Sequence, residues 1–364
     1  MEQKDIQNIW DRAVFLQMMA SFCDDINFEE YNSFMQNLHQ LIIESDKETI
    51  EKEIHIYKEK LNKILKEIIP KYHPKRGFSE IAFDWNHKFI ENKEFLSYGI
   101  DIGWLEKQVD LSNYYKYDYA PYHFKVGLVI HKGRGEIEEN FILQDSFTAL
   151  IKAKRLLKRL ENSGKSLKDE FLANGKTKFD RKALDYLNFI KYEVSFYSRM
   201  AVVSFFTFLE SFVNSIGFDH YFRYKNSLSN SDVEILQGNK KGRFLNLKYK
   251  IESYQKIIRS DKKAIIVLSD DNQITEPFKS IFCYYEELRN SSVHFSPPKA
   301  KIWLKPHDWV EKAELFSQLI IEGALMIWKS CHETNKGPDY LGRLEYDRLY
   351  KEAKQRDDVL YGNG

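Results

Sequence analysis

The chain has 364 residues, and its 55 basic and 54 acidic side chains leave a net charge of +1. That length suits two or three domains, and the balance gives no general case for a nucleic-acid partner, so any basic surface must be local. Hydrophobic residues at 43% and charged residues at 30% are ordinary for a soluble globular protein.

The first 70 residues read as helices. Ile50, Ile54, Tyr57, Leu61, Ile64 and Ile68 recur at spacings of four and three, which marks one apolar helix face, and Pro70 and Pro74 are expected to end it. Between 77 and 145 the pattern changes to alternation. Phe124, Val126, Leu128 and Ile130, a turn at Gly133 and Gly135, then Ile137, Phe141 and Leu143 predict a β-hairpin. The preceding cluster Tyr114, Tyr115, Tyr117, Tyr119 and Tyr122 reads as a loop packed on the core rather than a nucleic-acid contact. A basic amphipathic helix follows, with Phe147, Leu150, Leu157 and Leu160 on one face and Lys152, Lys154, Arg155, Lys158 and Arg159 on the other. Its charged side reads as solvated, with an RNA backbone track as the alternative.

The polar stretch 162–178, with Gly164 and Gly175, is the expected domain boundary. After it the apolar spacing from Ala183 through Ile190, Val194, Ala201, Phe205, Phe208 and Phe212 to Ile216 predicts one long helix, or two broken near Ser198. Three more helices are expected at about 243–260, 275–294 and 309–331, separated by polar loops at 226–242 and 269–273. The predicted fold is mainly α, α+β overall. It comprises an N-terminal helical region 1–75, an α+β region 76–175, a four-helix domain 176–334 and a charged tail 335–364.

Cys23, Cys283 and Cys331 form no C-x-x-C pair and read as buried thiols in a reducing compartment. The N-terminal segment lacks an apolar signal core, and the apolar run 319–327 is interrupted by Glu322 and too short to span a bilayer. A cytoplasmic location without membrane association is expected.

The third of these helices ends in ELRNSSVHFSPP, placing Arg289, Asn290 and His294 in an R-N-x-x-x-H pattern. A permanent cation beside a group titrating near neutral pH is what metal-free phosphodiester cleavage requires. Asn290 and His294 are four apart and share a helix face, so the amide can orient the imidazole or contact phosphate. Arg289 and His294 are about 140° apart around an ideal helix. They converge through the reach of the arginine or a loosened last turn, which Pro297 and Pro298 favour. A purely structural account also exists, because cations complement a helix C-terminus and Glu286 stands three residues before Arg289.

Glu210, inside the apolar run 205–216, needs a partner: either Arg289 or His294, or water at a lateral surface. Residues 240–263 hold nine Lys or Arg against Glu252 and Asp261, and Lys240, Lys241, Arg243 and Lys248 are the candidate RNA contacts. His123 and His131 lie too far apart to share a metal, and Gly133-Arg134-Gly135 lacks a phosphate loop's lysine. No metal and no cofactor are expected.

The order of a long apolar helix, a second helix, a third ending in R-N-x-x-x-H and a closing fourth, over residues 180–332, resembles the HEPN superfamily. Many of its members are ribonucleases of toxin and antiphage systems or CRISPR effectors. The resemblance implies a HEPN-like helical bundle in which Arg289 and His294 face those of a second copy, hence a homodimer. It casts His294 as general acid or base at the 2′-hydroxyl or leaving 5′-oxygen, and Arg289 as stabiliser of a phosphorane-like transition state. It further implies RNA, single-stranded or tRNA-like, as substrate, and an antitoxin or activator as a further partner. The N-terminal 175 residues would sense a trigger, select RNA or restrain the site. The competing expectation is a non-catalytic HEPN-like dimerisation or RNA-binding scaffold. A toxin silenced by nucleotide transfer would carry a tyrosine two residues after the histidine, where this chain has Ser296.

Overall fold

Helical periodicity governs most of the chain. The computed structural model describes residues 3–20, 26, 28–87, 100–113, 125–129, 134–173, 180–240, 242–293 and 303–362. These are mainly α and fall into two compact units, Met1–Glu138 and Glu139–Gly364.

The first unit contains helices α1 (Gln3–Ala20), α2 (Phe28–Glu44), α3 (Lys47–Tyr72), α4 (Phe78–Trp85) and the short α5 (Ile102–Leu105). Asp46 caps α3 by accepting from the Thr49 N–H at 2.8 Å. The apolar face read from the sequence is buried at Ile50, Ile54, Leu61 and Ile68. Pro70 does not end the helix. The buried ring of Tyr72 carries α3 one half-turn further, and termination falls on His73 in the left-handed region (φ 37°), just before Pro74. Strands β1 (Ile100–Asp101), β2 (Lys125–Val129) and β3 (Arg134–Ile137) form an antiparallel sheet, with Val126 opposite Ile137 and Leu128 opposite Gly135. The expected second strand was too long: Phe141 and Leu143 lie in α6 (Glu138–Ala173), where Leu143, Phe147 and Leu150 line one buried helix face. Phe124, Ile130, Gly133, His123, His131 and the tyrosine cluster lie outside the described residues.

The second unit is built on α7 (Arg181–Tyr224), an unbroken helix of 44 residues, roughly 65 Å long at 1.5 Å per residue. It does not break at Ser198, whose buried hydroxyl donates to the Val194 carbonyl at 2.8 Å and so needs no other acceptor. By length and composition α7 is apolar enough to cross a membrane, yet 61% of its most apolar window is buried within the protein, the pattern of a core helix. It packs against α12 (Pro306–His332), α9 (Leu247–Ile258) and α11 (Glu286–Val293). Around this core stand α8 (Asn230–Leu236), the hairpin β4–β5 (Asn239–Lys240 and Arg243–Phe244), a single turn α10 (Phe278–Ser280) and α13 (Tyr346–Tyr361).

Three boundaries differ from the sequence reading. The stretch 162–173 is helical, because its lysines, glutamates and leucines sustain α6 and Gly164 sits in open space where no packing depends on it. The division between compact units therefore falls at 138/139 rather than near 175, and α6 contributes Leu143, Phe147, Leu150 and Ile151 to the same core as α7. The charged tail is not separate either. The 3-10 segment Asp339–Leu344 and α13 place Leu341, Leu344 and Ala353 in that core. Third, the expected helix 243–260 starts only at Leu247, capped by Asn246, which accepts from the Tyr249 N–H at 2.8 Å.

The basic side of α6 is only partly a solvated face: Lys158 and Arg159 are exposed, whereas Lys152, Lys154 and Arg155 are half-buried. Lys154 pairs with Glu314 at 2.5 Å, Arg155 with Asp357 at 2.5 Å, and Lys152 lies 4.7 Å from the Tyr197 ring centre. These charges tie α6 to α7, α12 and α13. Of the cysteines, Cys331 is buried and its thiol is pushed up to about 12 by desolvation. Cys283 is exposed, contrary to expectation, because it falls on the outer side of its helix; Cys23 lies outside the described residues.

Candidate functional site

Close approach at one glycine sets up the site. A methyl group at Gly217 would come within 2.7 Å of the Leu236 carbonyl and of the Tyr254 ring, so only glycine lets the end of α8 and the side of α9 close on α7. Tyr254, buried and with its hydroxyl pushed up by desolvation, donates to the Leu236 carbonyl at 3.2 Å. Seven residues earlier on the same stripe of α7 stands Glu210, and between them Asn214 accepts from the Lys250 ammonium at 2.8 Å.

The third helix of the bundle approaches this stripe through an irregular turn. After α10, residues Ile281–Tyr285 wind as a π-helix, and the Glu286 N–H donates to the Ile281 carbonyl five residues back. Ile281, Phe282 and Tyr285 anchor that turn in the core, with the Tyr285 ring stacked 4.5 Å from Phe316. α11 then delivers Arg289 to α7.

Arg289 and Glu210 are brought together. The guanidinium lies 5.0 Å from the centre of the Phe206 ring, its Nη2 is 3.6 Å from Glu210 Oε2, and Nη1 donates to Asn290 Oδ1 at 2.9 Å. The ion pair is longer than a hydrogen bond. The buried Nε finds no acceptor among the described residues. A guanidinium carries five N–H donors in a planar fork; among the described residues this one donates to Asn290 and is set between the Phe206 ring and the Glu210 carboxylate. Glu286 is not the partner that the spacing suggested; α7 intercepts the arginine first. Burial raises the Glu286 carboxyl above its ordinary range, opposed by Lys248 and Arg289 and reinforced by Glu210. Burial likewise lowers the Lys250 ammonium, and Glu210 counters it.

His294 lies outside the described residues, one position beyond α11 as described. Asn290 is exposed on the last turn. Of the candidate RNA contacts, Lys241 is outside the described residues and Lys240 is placed by its backbone in β4. Lys248 lies 3.8 Å from Asp271 and 5.4 Å from the Phe282 ring centre. Arg243 is exposed, and its side chain makes no ion pair or hydrogen bond among the described residues. Much of the remaining positive charge of 240–263 is occupied structurally: Lys256 with Glu252, Arg259 with Asp261 and the Ser330 carbonyl, and Lys262 with the Ile257 carbonyl.

Sequence reasoning missed Phe206 as a neighbour of the arginine, and the Lys250–Asn214 pair further along the stripe that holds Glu210. The spacing Phe206, Glu210, Asn214 is a four-residue ladder that could have placed the first two under one partner. Lys250 carried no such signal. Among the described residues His307, Asp308 and Glu311 bring three ligating atoms within 4.8 Å of one another. They lie on the first two turns of α12, where Asp308 is accounted for by the helix dipole.

No family model, curated protein or solved structure matches the chain.

Proposed function

We propose that the chain is a metal-independent endoribonuclease of HEPN type, acting as a cytoplasmic homodimer in a toxin or antiphage system. The observation that carries this reading is the Arg289 guanidinium, set against Phe206 and Glu210 towards the end of the third bundle helix. In the proposed reaction the 2′-oxygen of RNA attacks the adjacent phosphorus as His294 takes or relays its proton. The P–O5′ bond breaks, the leaving 5′-oxygen is protonated, and the ends are a 2′,3′-cyclic phosphate and a 5′-hydroxyl. Arg289 neutralises the charge that builds on the non-bridging oxygens, and Asn290 orients the imidazole or the phosphate.

A second reading draws on the same contacts. An arginine already engaged with a ring and a carboxylate suits a non-catalytic dimerisation or RNA-binding scaffold. Incubating wild type and His294→Ala with total RNA and tRNA in EDTA, then mapping new ends, separates the two. Cleavage by wild type alone with cyclic-phosphate ends is expected. No cleavage by folded wild type on any RNA would favour the scaffold, and equal cleavage by both would remove His294 from the mechanism.

A further inference from the structure

The β4–β5 hairpin holds an aromatic ring out in water. Phe244 is 91% exposed, although burial of a phenylalanine ring is favourable. Its neighbour Arg243 is exposed too, and its side chain has no ion-pair or hydrogen-bond partner among the described residues. Lys240 stands opposite Arg243 in the ladder, across the turn at Gly242 (φ 77°). Arg243 shares one face of the two-stranded ribbon with Lys240 and Phe244 takes the other with Asn239, so a strand crossing the hairpin meets charge for a phosphate on one side and a flat face for a base on the other.

The hairpin is firmly footed, and its foot stands beside the arginine site. The Leu245 N–H donates to the Gly238 carbonyl at 3.0 Å, closing the base of the hairpin. A methyl group at Gly238 would come within 3.0 Å of the Lys250 side chain, whose ammonium donates to Asn214. The preceding Leu236 rests on Tyr254 at Gly217. Glu210, Asn214 and Gly217 follow one another along one stripe of α7, so Arg289 and the hairpin's foot are about 10 Å apart along the helix axis.

We propose that this hairpin holds single-stranded RNA beside Arg289, with Phe244 stacked on a base and Arg243 paired with the adjacent phosphate. The proposal rests on the ribonuclease reading and adds to it the residue that makes the site select unpaired strands. A duplex keeps its bases stacked on each other and offers none to Phe244.

The test uses a fluorescein-labelled 2′-O-methyl RNA of about a dozen nucleotides, which cannot be cleaved because its 2′-oxygen is blocked. Affinity is read by anisotropy for wild type, Phe244→Ala, Phe244→Tyr and Arg243→Ala. Phe244→Ala is expected to weaken binding roughly 5- to 150-fold, as loss of one stacked base does, and Phe244→Tyr to bind as wild type. Arg243→Ala should flatten the salt dependence by about one phosphate's worth. A duplex of the same sequence should bind weakly and indifferently to Phe244→Ala. Wild-type affinity in a folded Phe244→Ala overturns the proposal, and does so without touching the nuclease reading if His294-dependent cleavage persists. A Phe244→Ala protein that turns from dimer to monomer in sedimentation overturns it in favour of a protein contact. Failure of wild type to bind or cleave any RNA removes this inference and the nuclease reading together.

Discussion

Replacing Arg289 by alanine separates a catalytic cation from a structural one, because the two roles imply different losses. The structural contribution can be summed from its contacts. A cation over the Phe206 ring at 5.0 Å is worth about 0.5–2 kcal/mol. The 3.6 Å pair with Glu210, whose side chain is 40% exposed, adds about 0–1 kcal/mol, and the carboxylate left behind rehydrates readily. The bond to exposed Asn290 adds little. Stability should therefore fall by roughly 0.5–3 kcal/mol in urea titration, with an unchanged slope. RNA cleavage should fall by at least about 100-fold, as expected for loss of a preorganised donor to a transition-state oxygen. Arg289→Lys should restore most of the stability and little of the activity, since an ammonium keeps the charge but not the planar fork. A loss above about 4 kcal/mol on truncation would mark the arginine as a buried strut of the fold. Unchanged cleavage by a folded alanine variant would refute its catalytic role outright.

Two further outcomes are expected from buried polar groups of the same unit. Gln255, fully buried, accepts from the Ile265 and Ile266 N–H groups at 2.8 and 2.9 Å and from the Ser330 hydroxyl at 2.5 Å. Gln255→Leu should cost roughly 2–4 kcal/mol by stranding these donors, lowering the denaturation midpoint; a loss under about 1 kcal/mol would mean that water replaces the amide. His220 is lowered to about 4, first by burial, with His332, Lys262 and Arg223 acting in the same direction against Asp219. The folded protein thus keeps this imidazole neutral where the unfolded chain, titrating near 6.5, takes up a proton. Stability should decline as pH falls from about 6.5 to about 4 and then level off as far as this group is concerned, by roughly 1–3 kcal/mol after allowance for its partial exposure. His220→Gln should flatten that slope in pH-dependent urea melts, and an unaltered slope would assign the effect to other groups.

The parts of the fold legible in the sequence are those where one face repeats for many turns. α7, α12 and α3 each show their buried residues at spacings of three and four, and the structure buries Ile190, Val194, Phe205, Phe208 and Phe212 accordingly. What failed was punctuation. Pro70 and Gly164 read as breaks but sit within helices: Pro70 is exposed between the buried Ile68 and Tyr72, whose packing holds that turn, and open space surrounds Gly164. The polar run 226–242 hid α8 and the hairpin, because seven residues are too few for a period to declare itself. At the site, Glu210 was visible as a carboxylate in an apolar run in need of a partner. That Arg289 meets it, rather than Glu286, depends on the approach of α11 to α7, which no local spacing encodes.

The π turn at Ile281–Tyr285 uncouples chain length from the direction in which Arg289 faces. It takes up one residue more than an α ladder needs, as the bond from the Glu286 N–H to the Ile281 carbonyl records. Removing one residue within it would let that bond contract to an ordinary α-helical step, leaving the helix beyond pointing as before. The same deletion a turn later would swing the rest of the helix by about 100° around its axis. This helix therefore has one place where an insertion or deletion is absorbed as slack, immediately upstream of the arginine whose aim matters most.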